Sequence, residues 1–138
     1  MPALSRWFLR SALLYLPASL LLGFLRDWPP LASRPFAAAV GPVAVHLLTV
    51  GWVTQTIFGV AFWMFPRPAR ARTTGSASIG WFAFAALNTG ILLRAAVEPA
   101  VSLGAGGWRG IALVIAAALH LAGCLAMVIV LWPRLEER

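Results

Sequence analysis

Two histidines, His46 and His120, are the side chains best suited to hold a metal or cofactor in this sequence, and both fall inside long uncharged stretches. An imidazole in such a place either ligates a metal or cofactor or satisfies itself by hydrogen bonding to a neighbouring helix, because an unpaired polar group in hydrocarbon costs several kcal/mol (~4–8 on alkane scales). The other polar groups of these stretches are Thr49, Thr54, Gln55, Thr56, Asn88, Thr89 and Cys124. The spans contain no deep acid, which argues against a carboxylate proton relay. No nucleotide-binding pattern, catalytic acid pair or serine triad is present. The loop glycines Gly104, Gly106 and Gly107 follow no strand and read as linker rather than phosphate cradle.

These residues need elements to carry them, and composition says which. The chain has 138 residues, 61% of them hydrophobic and 11% charged, with a mean hydropathy of +0.85. A soluble globular domain is excluded. All 11 basic residues are arginines, set against four acids, and they lie in short runs between apolar stretches. That pattern describes membrane topology, with the lipid bilayer as partner and no nucleic acid. The lone Cys124 rules out a disulfide within one chain.

The expected fold is all-α: a single polytopic transmembrane domain, residues 1–138, forming a four-helix bundle. Between Arg10 and Arg26 lie 15 uncharged residues, and Trp7 and Phe8 extend them toward the ~20 needed for a span. Helix 1 is therefore placed at about 7–26, kinked at Pro17. Arg6 and Arg10 ahead of an apolar core, with Ala37 to Ala39 beyond, also fit a leader peptide, but the segment is read as a retained span. From Pro35 to Pro66 run 32 uncharged residues, more than one span requires. The first few, with Gly41 and Pro42, are read as an interfacial lead-in, leaving helix 2 at about 40–65. Helix 3 is placed at about 77–97 and helix 4 at about 110–133.

Seven arginines (Arg6, Arg10, Arg67, Arg70, Arg72, Arg134 and Arg138) fall on the side that carries both termini, against four (Arg26, Arg34, Arg94 and Arg109) on the other. Both termini are thus expected in the cytoplasm. Trp7, Trp28, Trp63, Trp108 and Trp132 lie near predicted helix ends, where an indole favours the interface.

The stretch Val45 to Arg67, VHLLTVGWVTQTIFGVAFWMFPR, carries a resemblance. His46, Gly51, Trp52, Gly59 and the closing Pro66 and Arg67 resemble the second transmembrane helix of haem-copper oxidase subunit I, especially its C-type and nitric-oxide-reductase branch. The resemblance covers 23 of the 138 residues. It implies that His46 ligates the iron of a haem b, and that Gly51 and Gly59 serve close packing. It does not extend to oxygen reduction, because such subunits need further histidines for a copper ion and a second haem, and this chain has two.

His120 is the weaker candidate for a second axial ligand. His46 lies 20 residues before Pro66 and His120 lies 13 before Pro133, so at ~1.5 Å per residue their depths differ by about 10 Å. Two copies of His46 meeting across a dimer axis, or one ligand with an open iron position, are the alternatives. Arg94 is a candidate partner for a haem propionate, helped by Arg34 or Arg109. Its alternative is an i, i+4 ion pair with Glu98. An Asn88 to His120 hydrogen bond is the structural alternative for both of those residues, and Met127 is read as packing. On helix 2, Thr49, Trp52, Thr56, Gly59 and Trp63 are expected to form the contact stripe; on helix 4, Ala118, Ala122 and Ala126 are.

Two functions follow. One is a small b-type cytochrome-like, haem-binding subunit of an electron-transfer complex in the bacterial inner membrane. The other is a cofactor-free accessory subunit of a larger respiratory or photosynthetic complex. A homo-oligomer or a larger membrane complex is expected in either case. Four short-looped helices without a buried acid make a transporter or channel the less favoured third.

Overall fold

The computed structural model describes residues 1–31, 33–65, 75–104 and 106–136. The described chain is a bundle of four helices, each long and apolar enough to cross a membrane: Ala3–Asp27, Arg34–Met64, Ala77–Ser102 and Trp108–Leu135. The protein is therefore a multi-pass membrane protein with an all-α fold. Arg67, Arg70, Arg72 and Arg138, on which part of the topology reading rests, lie outside the described residues, as does Pro66.

Helix α1 (Ala3–Asp27) runs through Pro17 and ends at Trp28, whose backbone is extended. Helix α2 (Arg34–His46) begins earlier than expected. Ser33 caps it, its hydroxyl accepting from the Phe36 amide at 3.3 Å, and Pro35 sits in the first turn, where a missing amide hydrogen costs nothing. The anticipated lead-in is thus the first turns of the helix.

From Leu47 to Thr54 the span continues as a π-helix, and from Gln55 to Met64 as helix α3. The threonine hydroxyls follow the change of winding: Thr49 donates to the Val45 carbonyl, four residues back, and Thr54 to the Thr49 carbonyl, five back. The wider π turn rotates less per residue, so residues four apart stay on one side. The buried face consequently runs through Val43, Leu47, Gly51, Gln55, Gly59 and Phe62. Thr49 and Trp63, assigned to the contact stripe from a strict α-helical phase, are exposed.

Helices α4 (Gly75–Ser102) and α5 (Trp108–Glu136) form the most extensive pair. Small residues allow it: a Cβ added to Gly123 would stand 2.8 Å from Leu87 Cγ and 3.2 Å from the Ala83 carbonyl oxygen. Ala86, Ala112, Ala116 and Ala126 are also buried. Of the stripe expected on the last helix, only Ala126 is buried, while Ala118 is exposed. The buried row is Ala112, Ala116, Gly123, Met127 and Val130. Both helices pass a proline expected to stop them, Pro99 and Pro133, because only a final turn or less follows. Between the two helices, Gly104 (φ 91°) and Gly107 (φ 73°) adopt left-handed conformations that a side chain would disfavour.

The core is a cluster of Leu4, Phe8, Phe62, Ala83, Leu87, Ala126, Met127 and Val130. Trp7, Trp28, Trp63, Trp108 and Trp132 all lie exposed near span ends, where water, headgroups and hydrocarbon meet. Arg134 is only 5% exposed. It donates through Nη1 to the Phe62 carbonyl at 3.1 Å and lies over the Phe62 ring at 4.3 Å. A cation at the C-terminal turn of α3 serves carbonyls that the helix leaves unbonded. Arg134→Met is expected to destabilise the bundle by about 2 kcal/mol, the range for a hydrogen bond to a charged donor, measured by detergent-induced unfolding in mixed micelles.

Candidate functional site

His46 is the last residue of α2, at the point where the winding changes from α to π. Its Nδ1 lies 2.8 Å from the Pro42 carbonyl oxygen. With Nδ1 as the donor, Nε2 keeps its lone pair. Across the helix boundary, Glu98 Oε2 of α4 stands 3.8 Å from the same Nδ1.

Glu98 is itself held by Arg94 one turn earlier. Arg94 Nη2 and Nε contact Glu98 Oε1 at 2.9 and 3.0 Å. The i, i+4 ion pair is thus formed. Glu98 is 5% exposed and belongs to the third span. Glu98, expected in the loop after helix 3, lies instead in the last turns of that helix. The helix does not stop before Pro99, and Arg94 neutralises the carboxylate it carries inward.

His120 of α5 reaches the same place. Its ring and that of His46 are 6.5 Å apart between centroids and inclined by 17°. The depth mismatch of about 10 Å counted from the prolines at ~1.5 Å per residue is thus overturned. Pro133 lies inside α5 rather than at its end, and the π turns advance less per residue than the α-helical rise assumed for the second span.

The imidazole of His120 fits against α4 because residue 90 is glycine. A Cβ there would fall 2.6 Å from His120 Cδ2, 2.7 Å from Nε2 and 3.0 Å from the Ala116 carbonyl oxygen. His120 Nε2 and Glu98 Oε2 are both buried with no hydrogen-bond partner.

The expected Asn88 to His120 hydrogen bond is absent. Asn88 and Gly90 are two residues apart on α4, about 200° around its axis, so Asn88 faces away from His120. It meets Tyr15 and Gln55: the Tyr15 hydroxyl donates to Asn88 Oδ1 at 2.8 Å, and Asn88 Nδ2 donates to Gln55 Oε1 at 3.2 Å. Met127 is fully buried in the core cluster, a packing residue as expected.

Sequence reasoning missed Gly90 and Glu98 as members of this site. A signal was available: Gly90, Arg94 and Glu98 recur every four residues, which puts them on one stripe of an uninterrupted helix. Among the described residues no three His, Cys, Asp or Glu side chains gather as a metal site. What the fold and site define is a four-span membrane bundle enclosing a polar cluster of two histidines and an Arg–Glu pair. Comparison with protein-family models, with curated proteins and with solved structures returns no match.

Proposed function

We propose that this protein is a small b-type cytochrome-like subunit that holds one haem between His46 and His120. The observation that carries the reading is the approach of the two histidines, from different spans, to a centroid separation of 6.5 Å. The buried Nε2 of His120 is without a protein partner, and the Pro42 carbonyl occupies Nδ1 of His46. Each imidazole thus has a ring nitrogen, with no hydrogen-bond partner, that would hold a metal, and the absent side chain at Gly90 gives His120 its room.

A bis-histidine haem supplies reversible one-electron transfer when bound. His46 and His120 would be its axial ligands. Arg94, the cation considered for an anionic edge of the cofactor, is engaged by Glu98. The apolar residues Val43, Leu47 and Ile91 form a buried cluster with Tyr15 and Ala18 packed against it, a low-dielectric environment for the site.

Orientation belongs to the same reading. The excess of arginine on the side of both termini supports a cytoplasmic position for them and a bacterial inner membrane as the location. His46 then lies in the outer half of the bilayer.

The test is a dithionite-reduced minus oxidised visible spectrum of the full chain purified from haem-replete cells. A Soret and an α band are expected, and each is expected to be lost or displaced in His46→Ala and in His120→Ala. A colourless protein would overturn the proposal. The second reading, a cofactor-free accessory subunit, draws support from the Arg94–Glu98 pair, whose charges cancel within the chain. It predicts a colourless chain that co-purifies with a larger membrane complex.

A further inference from the structure

Glu98 presents two carboxylate oxygens with unlike surroundings. Oε1 takes both contacts from Arg94, at 2.9 and 3.0 Å. Oε2 is buried and accepts nothing, although a carboxylate oxygen withheld from water is costly to leave unbonded. The Arg94 clamp fixes the carboxylate so that this bare oxygen stands 3.8 Å from His46 Nδ1, beyond hydrogen-bond range. The same Nδ1 is 2.8 Å from the Pro42 carbonyl. One ring N–H therefore faces two acceptors, a neutral carbonyl that holds it and a charged carboxylate that is near it. A movement of the imidazole by about 1 Å would bring Glu98 into hydrogen-bond range of ~2.7–3.2 Å.

We infer that Glu98, clamped by Arg94, is the positioning residue for His46. Its carboxylate draws the Nδ1–H, keeps the lone pair on Nε2, and makes the imidazole a stronger electron donor. Carboxylate partners of ligating histidines act in this way generally, fixing tautomer and ring orientation and raising ligand basicity. The inference rests on the haem reading for its effect on the iron, and on the apo chain alone for its effect on His46. A more basic axial ligand favours the ferric state, so the carboxylate lowers the midpoint potential. Arg94 acts through Glu98, by holding the carboxylate in place.

The experiment has two arms, both on the full chain. In the first, haem-loaded wild type and Glu98→Gln are titrated redox-potentiometrically. Glutamine keeps the size of glutamate and removes its charge. The ferrous-to-ferric ratio at a fixed ambient potential is expected to rise about tenfold in the variant, equivalent to 59 mV for a one-electron couple. A ratio within twofold of wild type would overturn the inference. In the second arm, 15N-histidine spectra of the haem-free chain are recorded, with His46 assigned by its loss in His46→Ala. The Nδ1–H tautomer is expected to dominate in wild type, and its ratio to the Nε2–H tautomer to fall about tenfold in Glu98→Gln. An unchanged ratio would mean that the Pro42 carbonyl alone orients the ring, and would overturn the inference. If Glu98→Gln fails to fold, Arg94→Gln is taken through both arms with an outward-swinging carboxylate expected to shift the His46 tautomer ratio and an unchanged ratio again overturning it. If wild type takes up no haem, the cytochrome reading fails and the second arm still decides the role of Glu98.

Discussion

Gly90→Ala is expected to remove the haem bands and to destabilise the bundle, although it adds one methyl group. That methyl would stand 2.6 and 2.7 Å from His120 Cδ2 and Nε2 and 3.0 Å from the Ala116 carbonyl oxygen. The backbone oxygen can retreat only if α5 moves away from α4. The imidazole can retreat only by swinging out of the cluster and away from His46. Overpacking of this kind costs ~1–3 kcal/mol, and the better helix propensity of alanine returns about 1 kcal/mol. A net loss of ~0–2 kcal/mol follows, with loss of His120 as a ligand. Gly123→Ala is the matched control: its Cβ would press on the Leu87 side chain, with Cγ at 2.8 Å, and on no histidine. It is expected to cost stability and to keep its spectrum. Gly110→Ala, with nothing within 4 Å, is expected to keep its spectrum and to lose no stability, gaining up to about 1 kcal/mol from helix propensity. Detergent unfolding and the reduced-minus-oxidised spectrum, recorded side by side, read the three variants. A Gly90→Ala protein that retains wild-type bands would refute the placement of His120 as a ligand against α4.

The spans were legible in the sequence because twenty or so uncharged residues between arginines leave few alternatives in a chain this apolar. Their ends were less legible. Pro35, Pro99 and Pro133 were read as boundaries, yet each lies in the first or last turn of a helix: the Pro35 amide would be unbonded anyway, and Pro99 and Pro133 each forgo one backbone hydrogen bond close to the helix end. That misreading kept Glu98 outside the third helix and, together with the π turns, set the depths of the histidines apart. The π-helix was not legible at all. Nothing in LLTVGWVT prescribes it; it suits contacts made elsewhere, with Gly51 against the Tyr15 ring and Gln55 turned to Asn88. Once the winding changes, a face derived from 100° per residue is the wrong face, as exposed Thr49 and buried Gln55 show. His46 and His120 could be nominated by residue type alone. Their meeting depended on helix ends and winding, which are tertiary outcomes.

Asn88→Leu is expected to destabilise the protein by about 2–3 kcal/mol, and Gln55→Leu added to it is expected to restore part of that loss. Asn88 joins three helices at one point. Its Oδ1 accepts from the Tyr15 hydroxyl at 2.8 Å and from Gln55 Nε2 at 3.3 Å; its Nδ2 donates to Gln55 Oε1 at 3.2 Å and to the Phe84 carbonyl at 2.8 Å. Interhelical hydrogen bonds in membranes contribute only ~0.6 kcal/mol each on average and at most about 1.7, so the bonds alone account for the smaller part. The larger part is the carboxamide left behind. Gln55 is 0% exposed, and a buried polar group stripped of its partner costs ~1–3 kcal/mol. Removing that group as well replaces an unmet amide with hydrocarbon, which is why the double variant should be less destabilised than the sum of the singles. The coupling expected from a double-mutant cycle is about 1 kcal/mol or more, read from unfolding midpoints in mixed micelles. Strict additivity would show that the Gln55–Asn88 pair carries no interaction energy. The π-helical winding that turns Gln55 inward would then need another cause.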